Sequence, residues 1–332
     1  MRIGLLLNHW PLLSILEPLI QKGWLVGLAA EEGKNELVTG FKLVSQQYQI
    51  PYIGLTKTNF ANCLSKWLEQ TKPDVVLVST LAYKIPADLL QIPTYGFFNF
   101  HYGLLPNYRG PDTIFWPIRN QEACGGFTIH KMDSDWDTGA IAHLQPVPIE
   151  VEDTHGLYLN KLAQMLPQAA IEFIDNLSAQ GDKLPLVTQE PGIGKYWSKP
   201  SFEDLCIRWH EQSAREVHAL VRASNPRYGG AVAFLRGVPL HILQVSLVEQ
   251  TTQHTLQPGE IAVTSSEEGT VVCSQDGNLL RLDAVQTPEG LFTGNKLPTI
   301  FGIQVGEVLS IPERFQETLQ KNEIKKKSHH SN

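Results

Sequence analysis

Asn99 and His101 stand two residues apart in the run GFFNFHYGLLPNYRGP, and Asp137, in an Asp-Thr-Gly, follows 36 residues after the histidine. These residue types suit transfer of an acyl group to an amine. As the amine attacks, negative charge develops on the acyl oxygen while the nitrogen must lose a proton, so the site needs a fixed donor and a proton carrier. Asn99 can donate a side-chain N–H to that oxygen. His101 exchanges protons near neutral pH. Asp137 can accept from one imidazole nitrogen, which fixes the tautomer and favours the imidazolium formed during transfer. No covalent nucleophile is then required.

Singly these residues say little, but the order Asn-x-His, Leu104-Leu105-Pro106, Arg109-Gly110, Met132-Asp133 and Asp137-Thr138-Gly139 is restrictive. That string resembles the formyltransferase family, whose members move a formyl group from 10-formyltetrahydrofolate to an amine. The resemblance implies Asn99, His101 and Asp137 as the catalytic trio and 10-formyltetrahydrofolate as co-substrate, with no metal. It also implies a folate pocket drawing on Leu81, Ala82 and Tyr83 of the segment LAYKIPADLL, with Leu104, Pro106, Asp133, Thr138 and Gly139. Tyr102 and Arg109 then stand toward the acceptor. Arg109 can meet a phosphate or carboxylate there or pair internally, and the sequence leaves both open. His130, inside an apolar run, reads as a packed or hydrogen-bonded core residue, with a catalytic role as the alternative.

The elements that must carry these groups follow from apolar periodicity. RIGLLL (2–7), WLVGLAA (24–30), IPYIGL (50–55) and DVVLVST (74–80) read as buried strands, with helical patterns in PLLSILEPLIQKG and ANCLSKWLEQ. Alternating strands and helices argue for a Rossmann-like, mostly parallel sheet in an α/β domain. GFFNFHY (96–102) delivers Asn99 and His101 to one side of a strand, because residues two apart share a face. The run ending at Met132 leads a second strand into the Asp133–Gly139 loop, so two chain-distant loops can meet over one pocket. Phe115 and Trp116 read as core residues of a helix beginning near Pro111, with stacking on a planar acceptor as the alternative.

A chain of 332 residues, 42% hydrophobic and 18% charged, suits about two soluble domains. Four scattered cysteines without a C-x-x-C pair fit a reducing cytoplasm rather than a disulfide or zinc framework. The N-terminal run reads as a strand, not a signal peptide, and nothing approaches a membrane span. The first turn, LLLNHWPLL, lacks G-x-G-x-x-G, which removes the main support for a dinucleotide cofactor. PGIGK (191–195) lacks phosphate-loop spacing and reads as a linker turn.

The expected domains are a catalytic domain at 1–180, a Gly- and Pro-rich linker at 181–204, a small OB-like β-barrel at 205–312 and a tail at 313–332. The barrel rests on a helix at SAREVHALVRAS and short apolar runs after it. This region resembles the accessory domain of methionyl-tRNA formyltransferases, in Asn225-Pro226, Pro258-Gly259-Glu260 and Asp276-Gly277. Three departures bear on the acceptor. Gly103 replaces the usual serine before Leu-Leu-Pro; Gly110-Pro111-Asp112-Thr113 replaces Gly-Ala-Ala-Pro; and AAEEGKNELVTGFKL, in place of a basic insertion, has three glutamates against two lysines. The net charge of -7 neither demands nor excludes tRNA, but these departures favour a small acceptor, such as a nucleotide-linked amino sugar, over initiator methionyl-tRNA as the alternative. A 10-formyltetrahydrofolate hydrolase and a folate-binding module without turnover are further alternatives. Lys325-Lys326-Lys327 reads as a solvated tail, with nucleic-acid contact as the alternative.

Overall fold

Continuous apolar runs of five to seven residues can be buried on both faces only inside a covered sheet, and the first half of the chain builds one. The computed structural model describes residues 1–8, 10–33, 36–249 and 256–312. The tail with its lysines, and Lys34 and Asn35 of the acidic stretch, lie outside the described residues. The chain forms two compact units: residues 1–113, 124–148 and 159–199, and residues 114–123, 149–158 and 200 onward.

The first unit holds a seven-stranded sheet of β1 (Ile3–Leu7), β2 (Leu25–Glu31), β3 (Tyr52–Leu55), β4 (Val75–Ser79), β5 (Gly96–His101), β6 (Cys124–Lys131) and β7 (Ile141–Pro148). Their order is β3-β2-β1-β4-β5-β6-β7. The first five run parallel. β6 and β7 run antiparallel to their neighbours. The strand character of β7 escapes the sequence because Gln145, Pro146 and Pro148 break its apolar pattern.

Helices α1 (Leu16–Gln21), α2 (Glu36–Tyr48), α3 (Phe60–Thr71) and α4 (Ala87–Leu90) link the parallel strands. α3 shows why the sheet is tightly covered. Phe60, Leu64, Trp67, Leu68 and Thr71 form its buried stripe. A Cβ on Gly4 of β1 or Gly27 of β2 would come within 2.6 to 2.8 Å of the Trp67 ring. Glycine at these two strand positions is what lets the indole lie flat against the sheet.

In the second unit the sheet comprises β8 (Ala231–Leu235), β9 (Val238–Val248), β10 (Ile261–Ser265), β11 (Gly269–Cys273), β12 (Leu279–Thr287) and β13 (Gly290–Thr293), ordered β10-β11-β12-β9-β8 with β13 beside β12. Among the described residues these strands pair antiparallel, and Cys206 adds an isolated parallel bridge to Val232 of β8. Val308 bridges Glu260 at the start of β10, and Leu309 bridges Leu235 of β8. These bridges join the two end strands, so the sheet closes on itself and leaves little free edge. The helix Phe115–Arg119 belongs to this unit, with Phe115 fully buried edge-on to Tyr228. That agrees with the core reading of Phe115.

Trp67→Ala is expected to cost about 3–5 kcal/mol in chemical denaturation, because its cavity is walled by rigid strand backbone. A loss below about 1 kcal/mol would contradict this packing.

Candidate active site

β5 places Asn99 and His101 on one face, and the antiparallel register with β6 sets His130 opposite Asn99 and Thr128 opposite His101. Directly opposed residues of an antiparallel pair share a face, so four polar side chains gather there. Thr128 Oγ1 donates to the Gly103 carbonyl at 2.6 Å and accepts from Leu105 N–H at 3.2 Å, fixing the chain as it leaves β5. Beyond β6 the chain doubles back: Met132 N–H donates to the Phe97 carbonyl and Lys131 N–H to the Ala140 carbonyl. The return brings Asp137 to the histidines.

Asp137 Oδ1 lies 3.6 Å from His101 Nδ1 and 3.6 Å from His130 Nε2, while Oδ2 accepts the Gly110 N–H at 2.9 Å. His101 Nε2 lies 2.6 Å from the Tyr108 carbonyl, and Asn99 Nδ2 lies 3.2 Å from His130 Nε2. The two imidazoles stand nearly perpendicular, with centroids 6.2 Å apart. The trio proposed from the sequence is therefore brought together, and His130 is both a buried residue and a neighbour of all three members.

Burial pushes the His101 imidazole below its ordinary pKa and the nearby His130 adds to this, while Asp137 and the Tyr108 carbonyl pull it back up. For Asp137 burial acts upward but is outweighed by His101, His130 and the Gly110 N–H, which hold the carboxyl well below the usual carboxylate range. It is an anion at neutral pH.

Gln189 holds the loop that carries this anion. Its Nε2 donates to the Asp137 and Gly139 carbonyls at 2.9 and 2.7 Å, and its Oε1 accepts from Arg109 Nε and Nη2 at 3.3 and 2.7 Å. Arg109 is thus paired internally. Asp137 itself has φ 58°, a left-handed backbone that needs such support. Nothing in the sequence singles out Gln189, which lies in the Gly- and Pro-rich stretch. That stretch also lays Lys195–Trp197 along the Pro106–Arg109 backbone, with Trp197 stacked on Tyr108 at 5.7 Å.

The residues proposed for folate fall at two places. Leu81 and Tyr83, after β4, are half-buried against the core, Tyr83 contacts Phe60, and Ala82 N–H donates to Glu31. Met132 packs against the same cluster, and next to it Asp133 accepts from Thr138 Oγ1 at 2.7 and 2.9 Å. Gly139 approaches the Lys131 carbonyl so closely that any Cβ would clash. Leu104 and Pro106 lie in the loop after β5, where a Cβ on Gly126 would meet Leu104 at 2.7 Å and Lys195 N–H donates to the Pro106 carbonyl. Tyr102 is buried, and its carbonyl accepts from Thr113 Oγ1 at 2.5 Å. Among the described residues no group of three or more His, Cys, Asp or Glu could hold a metal ion, and no helix is long and apolar enough to cross a membrane.

Residues 34–174 match the formyl transferase family, and residues 200–291 match the formyl transferase C-terminal domain. A methionyl-tRNA formyltransferase of Nitrosomonas eutropha is 30% identical over 291 residues, 88% of each chain. The chain belongs to the formyltransferase family. As a member it is a formyl-transferring enzyme. Its fold is shared by HypX from Aquifex aeolicus in complex with tetrahydrofolic acid, at TM-score 0.63 and 18% identity over 94% of this chain and 51% of that one. An N-formyltransferase from Helicobacter canadensis, in complex with folinic acid and dTDP-3-aminofucose, aligns at TM-score 0.60 and 18% identity over 84% and 98%.

Gly103 sits where the chain is tightly packed beside His101. A Cβ there would stand 2.7 Å from the Tyr108 carbonyl oxygen and 3.0 Å from His101 Nε2, the two partners of the short contact. Gly103→Ser is expected to destabilise by about 1–3 kcal/mol, because backbone rather than a flexible side chain must give way. Thermal denaturation checks this, and an unchanged midpoint would contradict it.

Proposed function

We propose that the enzyme transfers a formyl group from 10-formyltetrahydrofolate directly to a primary amine, with Asn99, His101 and Asp137 as the catalytic groups. The observation that carries this reading is the buried Asp137 carboxylate facing His101, with the Asn99 amide on the same face of the sheet. Bound folate supplies the electrophilic formyl carbon. The half-buried apolar Leu81 and Tyr83 suit the flat, largely apolar face of a pterin, and the polar Asp133–Gly139 loop suits its hydrogen-bonding edge. Asn99 donates an N–H to the oxygen on which charge develops. A protonated His101, oriented and charged by the ionised Asp137 carboxylate, stabilises the tetrahedral oxyanion with Asn99; collapse breaks the bond to the folate nitrogen, which leaves as tetrahydrofolate carrying the proton the amine gives up.

The acceptor we favour is a small amine such as a nucleotide-linked amino sugar. Between residues 201 and 312 there are seven Lys and Arg against twelve Asp and Glu, so this region carries no net positive charge to draw a phosphate backbone. Methionyl-tRNA is the second reading, favoured by similarity to methionyl-tRNA formyltransferases that runs through both domains. We assign catalysis to residues 1–180, the crossing segment to 181–204 and an accessory domain to 205–312. The free thiols Cys63, Cys124, Cys206 and Cys273 support a reducing, cytoplasmic setting.

Release of tetrahydrofolate, followed by absorbance with methionyl-tRNA and with a panel of nucleotide-linked amino sugars, tests the acceptor. Turnover with a sugar alone supports the favoured reading, and turnover with methionyl-tRNA alone overturns it. Asn99→Ala, His101→Ala and Asp137→Ala should each lose about 100-fold or more in kcat with the fold retained. Near-wild-type rates in all three would refute the assignment of the trio.

A further inference from the structure

We propose that His130 is a positioning residue for Asn99: its imidazole fixes which end of the Asn99 amide faces the ring and so aims the remaining N–H at the formyl oxygen. The inference rests on the reading of Asn99 as the donor to that oxygen. An asparagine side chain presents a carbonyl oxygen and an NH2 group with two hydrogens, and the two ends interchange by a half-turn of the amide. As an oxyanion donor it works only with the NH2 end inward. Something must therefore hold it against the half-turn.

The β5–β6 register supplies that hold by setting Asn99 and His130 directly across from each other. The β6–β7 ladder slips between Ile129 and His130, an irregularity of the kind that re-aims a side chain beside a site. His130 Nδ1 lies 3.2 Å from the Lys131 carbonyl, which can only accept, so Nδ1 carries the hydrogen. In the neutral ring Nε2 is then an acceptor, 3.2 Å from Asn99 Nδ2. One amide hydrogen is donated to His130, and the second is left for the substrate. The His130 side chain is 2% exposed, so water does not compete for Nε2. Asn99 Nδ2 at 3.2 Å is the nearer partner of this nitrogen, with the Asp137 oxygen at 3.6 Å.

His130→Leu removes the acceptor, while His130→Gln offers a carbonyl oxygen in its place. With 10-formyltetrahydrofolate and the acceptor that turns over in the panel, His130→Leu is expected to lower kcat about 10- to 100-fold while KM for the folate changes less than about threefold, since the lost interaction strengthens in the transition state. His130→Gln should regain most of the loss. In an Asn99→Ala background His130→Leu should cost little more, because the group it positions is gone. The inference is overturned by wild-type kcat in His130→Leu, or by equal losses with and without Asn99. If His130→Leu does not fold, His130→Gln decides: a kcat near wild type supports the inference and a loss of 10-fold or more sinks it. Asn99→Ala alone separates the two levels. Undiminished turnover there overturns the underlying reading together with this inference, whereas a severe loss there with wild-type kcat in His130→Leu overturns this inference only.

Discussion

A buried carboxylate must be compensated or it takes up a proton, and Asp137 accepts a backbone N–H from Gly110 and faces the His101 imidazole, with His130 beside it. Several elements of the first unit bring these partners to it. His101 and His130 come from neighbouring antiparallel strands, and Gly110 from the loop after β5. Asp137 comes from a loop that returns over the sheet. Gln189 ties that loop by its carbonyls and also engages Arg109, so the anion and the residue beside its backbone donor share one anchor. An ionised aspartate among histidines is also what a proton-handling site needs, since it lets an imidazole gain charge without a change in the surrounding protein.

The sheet topology explains why the site lies where it does. Five parallel strands end in an antiparallel hairpin, and the change of direction occurs between β5 and β6. A parallel neighbour would put a crossover connection at this edge; the antiparallel one places a second row of side chains squarely opposite Asn99 and His101. Thr128 then pins the Gly103–Leu105 turn while His130 faces Asn99. The lack of a side chain at Gly103 leaves room for the contact of His101 Nε2 with the Tyr108 carbonyl.

Strands such as DVVLVST and GFFNFHY were legible because they are short apolar runs bounded by polar or turn residues, and the shared face of Asn99 and His101 followed from the period of two. Asp137 was legible as part of an ordered motif. The roles of His130 and Gln189 were not, because each depends on which strand or loop lies across from it, and pairing leaves no local mark. β7 was hidden by its polar and proline residues, and the docking of Lys195–Trp197 on the Pro106–Arg109 loop by a composition that reads as linker. Gly103 stood out only as a departure from the family pattern. Its reason is a clash between side chain and backbone that only three dimensions display.

An ionised Asp137 supports the charge of a buried His101. The most direct test is a nitrogen-15 NMR titration of the imidazoles in the wild type and in Asp137→Asn. His101 should titrate below the ordinary histidine value in the wild type, because burial outweighs its partners, and lower still in Asp137→Asn, because the carboxylate that pulls it upward is gone. A His101 midpoint that does not move on loss of the carboxylate would contradict the account.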